Sequence, residues 1–83
     1  MTTTEDLRHT ILDVVRTVAP DADVDSLGPH TDMRDHLDLD SFDFLNVLVE
    51  LSARTGVDIP EGDYAQVSTL DGCIAYIEAR TAA

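Results

Sequence analysis

Lysine and tryptophan are missing from this 83-residue chain, and cysteine occurs once. A single thiol, Cys73, excludes an internal disulfide and fits a reducing compartment. Two Phe and two Tyr are the only aromatics, so aliphatic side chains must fill most of any core. No apolar run approaches the length that crosses a bilayer, and the opening Met-Thr-Thr-Thr-Glu-Asp has neither the positive nor the apolar region of a secretory signal. The expectation is a soluble, cytoplasmic chain with no membrane partner. Basic charge is scarce as well: five arginines face seventeen acids, for a net charge of -12. Such a field repels nucleic acid and anionic membranes and favours basic protein surfaces. Its plainer reading is that acidity keeps a small protein soluble.

What is present is enough for one domain over 1–83, with no room for a second core. A chain of this size buries only about 60–65% of its unfolded surface, so its fold is expected to be compact and modestly stable. The first helix follows Thr3 or Thr4, either of which can cap it, and places Leu7, Ile11, Val14, Val15 and Val18 on one side before Pro20 ends it. From Pro20 to Asp40 no helical or alternating pattern persists, and Leu27, Met33, Leu37 and Leu39 are candidates to pin this long connection to the core. A second helix starts at or next to Ser41, with Asp40 a good N-cap and Gly56 a fitting stop. A helical turn is expected over Asp63 to Val67 with Tyr64 and Val67 inward, and Ser68 or Thr69 caps a last helix. That last helix buries Leu70, Cys73, Ile74 and Ile77, with Tyr76 at its flank. The sum is an all-α fold, a small four-helix bundle with a long first loop and a short third helix.

The second helix carries more apolar side chains than one core-facing stripe needs. Advancing about 100° per residue from Ser41 puts Phe44, Val47, Leu48 and Leu51 on one arc, Asp43, Asn46 and Glu50 on a polar strip, and Phe42, Leu45 and Val49 on a second apolar stripe. The first arc reads as core and the second stripe as a contact surface beside Ser41; the alternative is that the long loop folds over that stripe.

Ser41 is the leading candidate for chemistry. A serine at a helix start lies near free backbone N–H groups, which suits a phosphate ester, and serine is equally one of the commonest capping residues. A nucleophilic triad finds little support: there is no Gly-x-Ser-x-Gly elbow, and His30 and His36 read as loop residues. Asp21, Asp23, Asp25 and Asp32 approach the spacing of a calcium loop, but Ser26 stands where a glycine is needed and Pro29 interrupts, leaving a turn-rich acidic loop and no metal site. No catalytic residue is assigned.

Asp40-Ser41-Phe42-Asp43, preceded by Leu37-Asp38-Leu39 and followed by an apolar helix, Gly56-Val57-Asp58-Ile59-Pro60 and a capped last helix, resembles an acyl carrier protein from the first helix to Ile77. The resemblance implies that Ser41 is the attachment point of 4′-phosphopantetheine, donated from coenzyme A by a separate phosphopantetheinyl transferase. It implies a shuttle and not an enzyme, holding acyl or aminoacyl units as thioesters for acyl-loading, condensing or acyltransferase enzymes. Partner recognition falls on the second helix, where Asp40, Asp43 and Glu50 steer basic patches while Phe42, Leu45 and Val49 supply apolar contact. Phe42 replaces a more usual leucine, Phe44 is bulkier than is common, and the helix has fewer acids than fatty-acid carriers. These departures tilt the expectation toward polyketide or other secondary metabolism. The start methionine and short flanks suggest a free-standing protein, excision from a larger synthase being the alternative; a monomer is expected. The competing reading is a small acidic adaptor or inhibitor that binds a basic partner through the same helix, with Ser41 only a cap.

Overall fold

In the computed structural model, which describes residues 4–81, the first helix, α1 (Thr4–Val18), presents Leu7, Ile11, Val14 and Val15 to the core and leaves its acidic and basic residues outside. Thr4 donates its hydroxyl to Glu78 Oε2 at 2.6 Å, tying this end of α1 to the last helix, while Thr3, the other capping candidate, lies outside the described residues. The helix runs out at Pro20, whose ring disfavours a helical conformation at Ala19.

The connection to Asp40 is more structured than its sequence pattern suggests. It contains a 3-10 turn at Val24–Ser26 and a one-turn helix, α2 (Met33–His36). Met33, Leu37 and Leu39 are buried as expected, Leu27 is partly buried, and Val24 joins them. The physical reason is long-range: the Met33 N–H donates to the Ser68 carbonyl at 2.8 Å, and the Asp71 N–H donates to the Pro29 carbonyl at 2.9 Å. These bonds bring the loop against the start of the last helix, where no local periodicity reports them. Asp32 caps α2, its Oδ1 accepting from the N–H groups of Arg34 and Asp35 at 2.9 and 3.2 Å.

Helix α3 (Ser41–Thr55) starts and stops where its end residues dictate. Asp40 is the N-cap, with Oδ1 accepting from the Asp43 N–H at 2.8 Å, and Gly56 closes the helix at φ 74°, a left-handed conformation that glycine adopts without a Cβ penalty. Phe44, Val47, Leu48 and Leu51 face the core.

The expected turn after Pro60 is a 3-10 helix that begins two residues earlier, over Glu61–Val67. Val67 is buried and Tyr64 partly so, its ring edge-on to Phe44 with centroids 6.2 Å apart. This segment packs on α4 (Leu70–Thr81), and α4 and α3 both pack on α1. Of the two capping candidates, Thr69 takes the role, its Oγ1 accepting from the Gly72 N–H at 3.0 Å; the Ser68 hydroxyl donates to the Ala65 carbonyl. Gly72 is required by close approach, since a Cβ there would lie 2.5 Å from the Gln66 carbonyl oxygen.

Tyr76, expected at the flank of α4, is buried at 4% exposure. Its hydroxyl donates to Asp63 Oδ2 at 2.6 Å, and the Arg80 guanidinium lies 3.4 Å over its ring. Asp63 comes from the 3-10 segment, so the partner that draws Tyr76 inward stands thirteen residues away in the chain. Cys73 is fully buried on the same helix, and burial pushes its thiol up to about 12.

Candidate functional site

Because Asp40 supplies the cap, Ser41 is left as the first residue inside α3 with an exposed side chain. Of the two local roles open to this serine, the capping role is therefore taken by its neighbour. Its Oγ accepts a hydrogen bond from Arg34 Nη2 at 3.1 Å. The Arg34 guanidinium also sits 5.7 Å from the centroid of the Phe44 ring, a cation–π distance. Arg34 comes from α2, so the loop that Asp32 and the Ser68 bond fix in place is what delivers this cation to the serine.

Beside Ser41 lies an open groove of about 340 Å³ lined by Arg34, Ser41, Phe44, Leu45, Glu61 and Tyr64. A second groove of about 340 Å³ shares the Arg34, Phe44 and Tyr64 walls and continues to Asp32, Ala65 and Ser68. Another hollow, about 400 Å³, lies between the end of α1 and the Leu37–Leu39 turn, and its polar side chains are Asp21, Asp38 and Asp43. It offers neither a nucleophile nor a cation, so the chemistry belongs to the Ser41 side.

The second apolar stripe of α3 is uncovered. Phe42 is 77% exposed, Val49 60% and Leu45 38%, and the long loop, with Val24, Met33, Leu37 and Leu39 in the core, does not fold over them. The expected acidic neighbours differ among themselves. Asp40 is exposed but uses its carboxylate to cap α3. Asp43 lines the hollow near α1, and Glu50 pairs with Arg54 Nε at 3.2 Å. On the helix, Asp43 and Glu50 thus flank the apolar stripe on the side opposite Ser41.

The histidines stay apart from the serine. His36 Nε2 lies 2.9 Å from Ser26 Oγ, and His30 Nδ1 lies 3.3 Å from Asp71 Oδ2. Among the described residues no base is directed at Ser41 Oγ, so the hydroxyl can receive a group from an outside catalyst but is not armed by them to attack by itself. Among the described residues no three His, Cys, Asp or Glu side chains gather to hold a metal ion; Asp25 of the acidic run pairs with Arg16 and Asp32 caps α2. Arg34, Glu61 and Tyr64 are the site residues that sequence periodicity did not point to as such. The one available signal was that Arg34 is the only arginine in an otherwise acidic stretch leading to Ser41.

Comparison with known proteins gives concordant results. The family model for the phosphopantetheine attachment site matches residues 9–77. An acyl carrier protein of Lactobacillus acidophilus is 28% identical over 58 residues, 70% of this chain and 72% of the relative. One from Rubrobacter xylanophilus is 27% identical over 73 residues, 84% of this chain and 90% of the relative. A solution structure of a candidate acyl carrier protein from Anaplasma phagocytophilum superimposes with a TM-score of 0.83, covering 98% of this chain and 94% of that one. At 22% identity that last likeness speaks to the all-α fold alone.

Proposed function

On the premise that the chain belongs to the phosphopantetheine-attachment family of acyl carrier proteins, which are carriers and not enzymes, we propose that Ser41 is where its 4′-phosphopantetheine is attached. The observation that carries this reading is an exposed hydroxyl at the start of α3 whose capping duty has passed to Asp40. The surroundings fit a phosphate ester: Arg34 offers a guanidinium at 3.1 Å, and the adjoining groove has apolar walls from Phe44 and Leu45. When bound, the group supplies a terminal thiol that holds an acyl unit as a thioester. The residues of the chain do the rest. Arg34 donates to Ser41 Oγ, which leaves the serine's own proton free to pass to a base on the phosphopantetheinyl transferase as Oγ bonds the phosphorus and the adenosine bisphosphate part of coenzyme A departs. Phe42, Leu45 and Val49 give visiting enzymes an apolar seat, and Asp40, Asp43 and Glu50 give their basic patches a field to follow. Docking of this kind is transient, as delivery between acyl-loading, condensing and acyltransferase enzymes requires. The span 1–83 acts as one monomeric, cytoplasmic domain.

The finer assignment within the same reading is polyketide or another secondary metabolism. It is supported by Phe42 and Phe44 standing where smaller residues are more usual, and by a helix carrying only Asp43 and Glu50 as acids. Intact-mass measurement tests the attachment. After incubation with coenzyme A, magnesium and a broad-specificity transferase, the protein gains one phosphopantetheinyl group and Ser41→Ala gains none. Because Asp40 holds the cap, Ser41→Ala stays folded and loses less than about 0.5 kcal/mol of stability, not the 0.5–2 kcal/mol of a lost cap. A folded wild type that gains no mass, or a Ser41→Ala variant that still does, overturns the reading and favours an adaptor.

A further inference from the structure

Four of the five arginines stand within ion-pairing distance of a carboxylate: Arg8 with Glu5, Arg16 with Asp13 and Asp25, Arg54 with Glu50, and Arg80 with Asp63. Among the described residues Arg34 is the exception, although Asp32, Asp35, Asp38 and Asp40 all lie within six positions of it in the sequence. Its side-chain partners among the described residues are neutral, the Ser41 hydroxyl oxygen and the face of Phe44. In a chain of net charge -12, a guanidinium kept off every described carboxylate retains its capacity for an added anion. Two of these four acids, Asp32 and Asp40, are occupied with backbone N–H groups as helix caps.

We propose that Arg34 is the counter-ion of the phosphodiester at Ser41, a positioning residue that anchors the base of the prosthetic arm. The inference rests on the attachment reading above. In the unmodified chain the guanidinium is parked on Ser41 Oγ and the Phe44 ring. An ester phosphorus is one bond beyond that oxygen and its free oxygens two, so a donor already at 3.1 Å reaches them by side-chain rotation. The planar fork then pairs the single negative charge bidentately, which an ammonium cannot do. The phosphate is thereby held at the mouth of the groove walled by Phe44, Leu45 and Tyr64, where the Arg34 charge offsets the Glu61 carboxylate of the same wall.

The test uses the full chain as wild type, Arg34→Lys and Arg34→Gln, each loaded with phosphopantetheine and checked by intact mass before anything else is read. In the loaded wild type the Arg34 Nε–H resonance moves on loading. The phosphorus-31 resonance of the phosphodiester is displaced in Arg34→Gln relative to wild type, with Arg34→Lys between the two. An unmoved Nε–H signal together with one phosphorus resonance common to all three proteins overturns the inference and leaves Arg34 a packing partner of Phe44. Failure of the wild type to load sinks the Ser41 reading at the mass step, before Arg34 is probed, and takes this inference with it. If Arg34→Gln does not fold, the wild-type Nε–H signal and the Lys variant decide the matter.

Discussion

Helices α3 and α4 pack on the same neighbour, α1, yet they finish their packing differently. Helix α4 buries Leu70, Cys73, Ile74, Tyr76 and Ile77 and leaves no large apolar side chain outside. Helix α3 buries Phe44, Val47, Leu48 and Leu51 and still exposes Phe42, Leu45 and Val49, all the large exposed apolar residues among those described. The polar groups divide in the same way. On the α4 side Asp63 gathers Tyr76, Gln66 and Arg80 into a closed network, while beside α3 the Ser41–Arg34 pair opens to solvent and a groove. A helix whose apolar surface is consumed inside the fold serves stability. One that keeps a surplus beside an exposed hydroxyl carries apolar surface that the fold itself does not use.

The contrast can be broken by mutation. Ile77→Ala, at a fully buried α4 position, costs about 2–5 kcal/mol in urea unfolding, whereas equal truncations on the exposed stripe of α3 do not approach that. Alkali separates the helices next, because α4 carries Cys73 and Tyr76 and α3 carries neither thiol nor phenol. Burial raises the Cys73 thiol to about 12, and the hydrogen bond to Asp63, with burial, raises the Tyr76 hydroxyl. Both groups hold their protons more tightly when folded than unfolded. Their contribution is therefore complete below about pH 9 and drains away as pH climbs toward 12, the Cys73 share amounting to about 4 kcal/mol. Urea midpoints that stay flat from pH 8 to pH 11 would count against it.

Gly72→Ala sharpens the comparison at the joint between the 3-10 segment and α4. Alanine gains about 1 kcal/mol of helix propensity, but the clash with the Gln66 carbonyl costs about 1–3 kcal/mol, so the expected outcome is a net loss of about 1 kcal/mol in thermal unfolding. The smallest effect on stability belongs to Phe42→Ser and Val49→Ser, each within about 0.5 kcal/mol of wild type. The same two changes, alone or with Glu50→Lys, slow loading by the transferase. Stability and turnover falling together would show that the stripe belongs to the fold after all.

What was readable in advance follows the same division. The Asp40 cap, the Gly56 stop and the separation of Leu51 from Val49 depend on spacing within one helix, and the structure reproduces them. Burial of Val24, the turn at Met33–His36 and the inward placement of Tyr76 depend on α1, the Ser68 carbonyl and Asp63, partners outside each segment that no local period reveals. Arg34 belongs to this second group. Seven residues from Ser41, it reaches that oxygen only because α2 turns back after a capped start. The Asp38 backbone, at φ 55°, then lets both Leu37 and Leu39 enter the core on the way to the serine.

The depth of Cys73 has a consequence for cargo. A thioester is lost to any thiolate that can reach it, and a carrier with an accessible cysteine would strip its own load by internal exchange. At 0% exposure and with burial pushing it up to about 12, this thiol has neither reach nor anionic character at neutral pH, so the chain's one cysteine does not compete for a thioester.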